Sequence, residues 1–241
     1  MESKKIILYL ALKYNGEWSK IYADIKNKVI PSNEEIERVA SAYQGGYITI
    51  IDKDYPNELK QAQKPPFVLF YQGDLNLLNR REKRLAVGCL KDATKEENDV
   101  SELMFQDYKE TFVLGGKGAI DKYLMRLYAN QCIVVAPTMA MAHEYKCGLI
   151  VSEVPCERQD NEIYAMRYRI MSALGDKILI FSCKAGSNIN LLIQYGLYNN
   201  KDILVVPTSP LANRNNNDYI YEGATPVWSG KQLTNELEGG Y

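Results

Sequence analysis

The sequence predicts an α/β fold: a doubly wound, mainly parallel sheet with a small N-terminal helical cap. Two observations carry this. From about Arg84 to Thr208, short Val/Ile/Leu-rich runs alternate at least four times with stretches whose apolar residues recur at helical spacing. The runs are apolar throughout instead of at every second position, the pattern of strands covered by helices on both faces. Such alternation belongs to a doubly wound sheet of the Rossmann type.

The elements follow in order. In the first forty-odd residues, Trp18, Ile21, Tyr22, Ile25 and Val29 recur at helical spacing. Ser32-Asn33-Glu34-Glu35 then has the S-x-x-E form of a capping box, ahead of a stripe of Ile36, Val39, Ala40 and Tyr43 that Gly45-Gly46 ends. These residues, 1–45, are the expected helical cap. YITII from Tyr47 reads as a strand, Asp54-Tyr55-Pro56-Asn57 as a turn, and FVLFY, closed by Gly73-Asp74, as a second strand. RLAVG precedes a helix that Thr94 caps with Glu97, and TFVLGG precedes one carrying Ile120, Leu124, Leu127 and Tyr128. CIVVAP and LIVSEV are further strands. A helix with the stripe Ile163, Met166, Ile170, Met171 and Leu174 comes next, then the strand KILIFS. A helix bearing Ile189, Leu192, Ile193 and Leu197 and a buried strand DILVVPT complete the alternation. Asn213 to Asp218 reads as a polar loop, with the main domain extending over 46–232 and a C-terminal tail over 233–241 whose residues Glu236 to Tyr241 read as frayed.

Composition excludes several function classes. Hydrophobic residues make up 46% of the 241, and charged residues 24%, as in ordinary globular proteins. The longest clearly apolar run, Ile6 to Leu12, falls far short of the roughly 20 residues that cross a bilayer, so no membrane span is expected. The N-terminus has no small-residue cleavage site, which reads as cytoplasmic. Five cysteines at 89, 132, 147, 156 and 183 form no CxxC pair and are expected as free thiols. With 29 basic and 30 acidic residues, any nucleic-acid site must be a local patch. The single histidine, His143, rules out a histidine metal cage and reads as structural or solvated. No metal or cofactor is expected. Ser152, Glu153 and Ser187 have no histidine placed to activate them, so no hydrolytic mechanism emerges.

Three strand ends carry candidate chemistry: Gly88 to Thr94, Leu114 to Asp121, and Lys184 to Asn188. Ligands of open parallel sheets bind outside the carboxyl ends of the strands. There, exposed amides and helix dipoles favour an anion, and glycine lets it approach the backbone. Each glycine turn taken alone equally reads as a plain tight turn. The second has neither P-loop nor GxGxxG spacing. Asp121 reads as a helix cap or a ribose ligand. In Tyr164-Ala165-Met166-Arg167-Tyr168-Arg169, both arginines cannot share the face of Ile163, Met166 and Ile170, so at least one points out of the core. Two readings stand: a solvated helix face, or a phosphate clamp interleaved with the stacking rings of Tyr164 or Tyr168.

The order of these pieces resembles the DprA/Smf family of DNA-processing proteins. Asp54 to Leu59, Pro65 to Tyr71 and Gly73-Asp74 resemble its YPxxL and PPxVLxxxGD entry. A GSR-like turn at Gly88, a GLARGID-like turn from Leu114 to Asp121, and SExP at Ser152 to Pro155 follow. After them come an FxxRNRI-like helix from Tyr164 to Ile170, an SGSLIT-like turn from Ala185 to Asn190, VPT in place of VPG, and an NxLIxxGA-like end from Asn217 to Ala224. The likeness covers Tyr47 to Trp228. Leu90 stands where the family has the GSR arginine, with Lys91 beside it; Gly118 replaces the GLARGID arginine, and Tyr168 the RNR asparagine. The winged-helix extension that many relatives carry after the sheet is not expected here.

The resemblance implies an extended Rossmann-like domain. It also implies a cytoplasmic homodimer that binds single-stranded DNA and helps a RecA-type recombinase to load, in DNA processing and natural transformation, without enzymatic activity. Carried over by position, the pocket takes Gly88, Lys91, Gly115, Lys117, Tyr164, Arg167, Tyr168, Arg169, Gly186 and Ser187. Two other readings of the same edge remain: a sensor or hydrolase of a nucleotide-derived small molecule, and a scaffold that works by protein contacts alone.

Overall fold

The computed structural model describes residues 2–29, 31–79, 83–106, 108–158, 160 and 162–233. The C-terminal tail expected over 233–241 lies outside them except for Leu233, which is buried in the core.

The N-terminal segment forms α1 (Glu2–Lys13), α2 (Trp18–Lys26) and α3 (Asn33–Ala42). Ser32 caps α3, and Glu35 returns the bond to the Ser32 amide, completing the box. The expected α2 stripe is not a core face. Only Ile21 is buried, while Tyr22, Ile25 and Val29 are exposed. The reason is geometric: α2 packs by one edge, where Ile21 joins Leu8, Leu10, Ile36, Val68 and Phe70 in a single cluster.

The polypeptide then enters one nine-stranded sheet. Its strands are β1 (Gly46–Thr49), β2 (Val68–Gly73), β3 (Arg84–Gly88), β4 (Thr111–Leu114) and β5 (Cys132–Val135), followed by β6 (Leu149–Ser152), β7 (Lys177–Ile180), β8 (Ile203–Val205) and β9 (Thr225–Pro226). The spatial order is β1-β2-β6-β5-β4-β3-β7-β8-β9. Strands β6 through β9 in that order run parallel, while β1 and β2 are antiparallel additions at one edge. The helices alternate with them: α4 (Asn57–Gln61), α5 (Lys95–Phe105), α6 (Ala119–Leu127), α7 (Glu162–Leu174), α8 (Ile189–Tyr198) and α9 (Asn216–Tyr221).

Successive strand residues point to opposite faces, which separates two cores. Ala86, Val113, Ile133, Ile178 and Val205 face Leu59 of α4, Ile170 and Leu174 of α7 and Leu192 of α8. Leu85, Val87, Phe112, Val134 and Leu179 face Met104 and Phe105 of α5 and Ile120 and Leu124 of α6. The fold is thus a mostly parallel, doubly wound α/β sheet. Thr94 and Glu97 form the capping box expected for α5. Three expectations change. The expected turn at Asp54 to Asn57 leads directly into α4 at Asn57. Helix α7 buries Arg167, Tyr168 and Arg169 besides Ile163, Ile170, Met171 and Leu174, because it is enclosed on most of its circumference. Finally, the loop read over Asn213 to Asp218 contains the start of α9, whose Asn216 is fully buried.

Candidate nucleic-acid interface

From β3 the strand order runs outward to β4, β5 and β6 in one direction, and β7, β8 and β9 lie in the other. The reversal between β3 and β7 is a topological switch point. At such points the loops leaving adjacent strands diverge and open a crevice at the carboxyl edge. A cleft of about 710 Å³ lies there, lined by Cys89, Leu90 and Lys91 after β3, Gly115, Lys117 and Gly118 after β4, Tyr164, Arg167 and Tyr168 of α7, and Ser187 and Asn188 after β7.

Backbone bonds hold the rim turns together. The Phe181 amide donates to the Gly88 carbonyl at 2.8 Å, and the Leu90 amide to Ser182 Oγ at 3.0 Å. The Ala119 amide donates to the Leu90 carbonyl at 2.9 Å, tying the second turn to the first. Gly118 is the N-cap of α6, and its amide donates to Asp121 Oδ2 at 3.0 Å. Asp121 is therefore the cap of its own helix, one of the two roles open for it in the sequence. Cys89 Sγ lies 3.4 Å from the other carboxylate oxygen. Burial raises the Asp121 carboxyl above its ordinary range, opposed by the Gly118 amide and the Arg167 charge. Burial likewise raises the Cys89 thiol, and the neighbouring carboxylate adds to the effect.

Arg167 is the buried cation of the cleft, only 7% exposed. It donates from Nη1 to the Gly115 carbonyl. Its guanidinium lies 5.3 Å from the Tyr168 ring centroid and 5.9 Å from that of Tyr164. Its Nε, also buried, meets no acceptor. Gly115 gives this arrangement room, since a Cβ there would stand 3.1 Å from Arg167 Nη2. Lys117 pairs with Glu144 and lies 5.7 Å from the Tyr145 ring centroid. Lys91 is exposed at the mouth. One enclosed guanidinium and two lysines, one of them paired with Glu144, suit a chain of phosphates, while the half-buried Tyr164 lines the same cleft.

The structure brings Lys91, Gly115, Lys117, Tyr164, Arg167, Tyr168 and Ser187 to this one cleft. Gly88 sits just beneath it at the end of β3, and Gly186, at φ +72°, lies in the rim turn with open space around it. Arg169 is elsewhere. It is 3% exposed and pairs with the buried Glu153, so its charge is neutralised beneath the surface. Two residues apart on a helix are turned by about 200°, and Arg167 and Arg169 consequently face different surroundings. His143 is exposed, with Nδ1 2.9 Å from the Ala140 carbonyl oxygen, and stands outside the cleft.

Several organising residues carry no signal in spacing. Asn216 accepts from the Cys183 amide and donates to the Phe181 and Val206 carbonyls, bridging the ends of β7 and β8. Asn215 accepts from the Ala185 amide at 2.7 Å in the third rim turn, and Asn217 exchanges bonds with the backbone of Thr208. Their consecutive asparagines were the available clue, since such runs satisfy backbone groups locally.

A family model described as DNA recombination-mediator protein A matches residues 46–238. The DNA processing protein DprA of Bacillus subtilis is 26% identical over 243 residues, covering 89% of this chain and 80% of that protein. The protein Smf of Borreliella burgdorferi is 24% identical over 188 residues, covering 70% and 59% respectively. Among solved structures, DprA of Streptococcus pneumoniae superposes with a TM-score of 0.72 at 20% identity, over 97% of this chain and 93% of that one. DNA processing protein A of Helicobacter pylori, solved for its single-stranded DNA binding mode, superposes with a TM-score of 0.70 at 19% identity, over 82% and 98%. The doubly wound sheet and the ordered turns at its carboxyl edge agree with a family match that spans most of the sequence, and the chain belongs to the DprA/Smf family of DNA-processing proteins.

Proposed function

We propose that the protein binds single-stranded DNA in the switch-point cleft and acts, without catalysing a reaction, as an accessory that helps a RecA-type recombinase to load, working as a homodimer in DNA processing and natural transformation. The observation that carries this reading is the position of Arg167. An enclosed guanidinium that lines the cleft, beside two tyrosines and below a glycine turn, is arranged to receive a phosphate. Lys91, exposed at the mouth, extends the positive charge along the rim, and Lys117 can do so by exchanging its partner Glu144 for a phosphate. Family membership and the DNA-binding relative from Helicobacter pylori support the same choice.

The test is a salt titration of fluorescent oligo-dT binding. The logarithm of the binding constant falls with the logarithm of salt concentration by roughly 0.7 for each phosphate neutralised, and Lys91→Ala reduces that slope by about one such step. Arg167→Ala weakens binding at every salt concentration. Absent or salt-insensitive binding overturns the reading.

A second reading rests on size. About 710 Å³ lies within the range of small-molecule sites. A nucleotide-derived ligand would raise the melting temperature by mass action, and a thermal-shift panel of nucleotides tests for it.

A further inference from the structure

We propose that α2 carries a second contact for single-stranded DNA, an aromatic and lysine platform built on Trp18 and Tyr22 that engages strands too long for the cleft. This rests on the reading of the cleft as a single-stranded DNA site.

The stripe at helical spacing on α2 is largely left in the open. Tyr22 is 44%, Ile25 39% and Val29 46% exposed. The rings there are ordered: Trp18 stacks on Tyr22 with centroids 4.8 Å apart and planes 13° from parallel, and on Phe67 at 5.5 Å. Trp18 Nε1 donates to the Pro65 carbonyl at 2.9 Å, which fixes the indole, and Lys64 Nζ stands 5.9 Å from its ring centroid. Tyr22 thus presents an exposed ring on a stack already held in place.

The surrounding charge selects the partner. Among the described residues, Lys26, Lys28 and Lys64 have no ion pair, and Lys26 and Lys28 are exposed on or just beyond α2. The acids of α2 and of its N-cap are engaged: Asp24 accepts from Tyr14 Oη and pairs with Lys13, and Glu17 pairs with Lys20. Stacking rings flanked by unpaired cations are the elements of a sequence-tolerant single-strand site.

Topology places the platform on the same rim as the cleft. Because β2 runs antiparallel to β6, with Phe70 opposite Ser152, the start of β2 next to Phe67 lies at the carboxyl end of β6. The turn before α2 is locked to that end, where Asn15 Nδ2 donates to the Glu157 carbonyl and Asn15 Oδ1 accepts from the Cys156 amide. From β2 to β4 and β3 is three to four strand spacings of about 4.8 Å, roughly 15–20 Å along one edge, which a few nucleotides span.

The experiment compares oligo-dT of about 4 and about 16 nucleotides, the range of site sizes for one single-strand module. The protein is Trp228→Phe, so that Trp18 is its remaining tryptophan. The longer strand quenches Trp18 emission and the shorter one does not. Tyr22→Ala weakens the longer strand roughly fivefold or more and leaves the shorter unchanged. Tyr22→Phe keeps the affinity, whereas Tyr22→Leu, apolar but unable to stack, does not. An unchanged melting curve confirms that these variants fold. If both strands bind but Tyr22→Ala binds them as tightly as the parent, the platform is refuted and the cleft stands; if neither strand binds, the cleft reading itself fails. Emission changes with anionic phospholipid vesicles but not with the longer strand also refute the platform, and identify the α2 face as a lipid contact.

Discussion

Arg214 and Glu97, 117 residues apart in sequence, form a buried two-pronged ion pair, with Nε to Oε1 at 2.6 Å and Nη2 to Oε2 at 3.0 Å. The same carboxylate accepts from the Thr94 amide at 2.8 Å, so one side chain both caps α5 and anchors the loop between β8 and α9. Arg214 also reaches the Asp92 carbonyl, beside Lys91. Removing one partner leaves a buried charge uncompensated. Arg214→Leu should lower unfolding stability by about 3–5 kcal/mol in urea titrations. Thr94→Ala, which removes only a cap, should cost about 1 kcal/mol.

Arg167 and Arg169 should separate cleanly. Arg169→Ala strands Glu153 in the interior, and about 3–5 kcal/mol of stability is lost, while oligo-dT affinity at a temperature where the variant remains folded is retained. Arg167→Ala shows the reverse emphasis, with affinity falling more than stability. Paired denaturation and binding curves decide it.

Gly115→Ala should act through Arg167. The added Cβ approaches the end of a flexible side chain at 3.1 Å, so the guanidinium moves off the Gly115 carbonyl while the backbone stays. Oligo-dT binding weakens roughly tenfold, the equivalent of about 1.4 kcal/mol, because the guanidinium no longer meets the phosphate squarely, and the lost bond to the Gly115 carbonyl lowers stability by about 1 kcal/mol.

Asp121 should leave a mark on the pH dependence of stability. Its carboxyl is raised above the ordinary 3.8 by burial, so the folded protein holds that proton more tightly than the unfolded chain. The resulting stabilisation is full below the ordinary value and is lost as pH rises through the raised one. Asp121→Asn, which keeps an acceptor for the Gly118 amide, removes this decline. Unfolding titrations from about pH 4 upward compare the two proteins.

The thiols should react in order of exposure. Cys156 is exposed and should be modified at once by a thiol reagent in the native state. Cys147 is half-buried and pushed up to about 11 by burial, and should follow slowly. Cys89, Cys132 and Cys183 are buried, with Cys183 pushed up to about 12, and should react only on unfolding. Timed labelling with mass spectrometry reads the sequence of events.

How much was legible follows from range. The boxes at Ser32-Glu35 and Thr94-Glu97 were readable because both partners lie within one helical turn. The strands β3, β4, β5 and β7 were readable because a fully covered strand must be apolar throughout. The stripe of α2 announced a helix but not its burial, since periodicity states that a helix is two-sided and says nothing of whether another layer exists to cover it. Arg169 misled: its partner Glu153 sits on another element, and no local pattern announces a buried pair. Arg214 and Asn216 went unread because a polar run looks like solvent-facing loop until the carbonyls and carboxylates that it meets are known.

By itself, the sequence determined the alternation of elements, the helix caps, the absence of any apolar run long enough to span a bilayer and the glycine turns at three strand ends, all set by forces acting within a few residues. The tertiary structure alone decided that β3 and β7 lie side by side, that their turns therefore open on a common cleft, and that one arginine of α7 lines it while the other is neutralised against Glu153. Those outcomes depend on strand order and helix rotation, and both are fixed by packing between residues far apart in the chain.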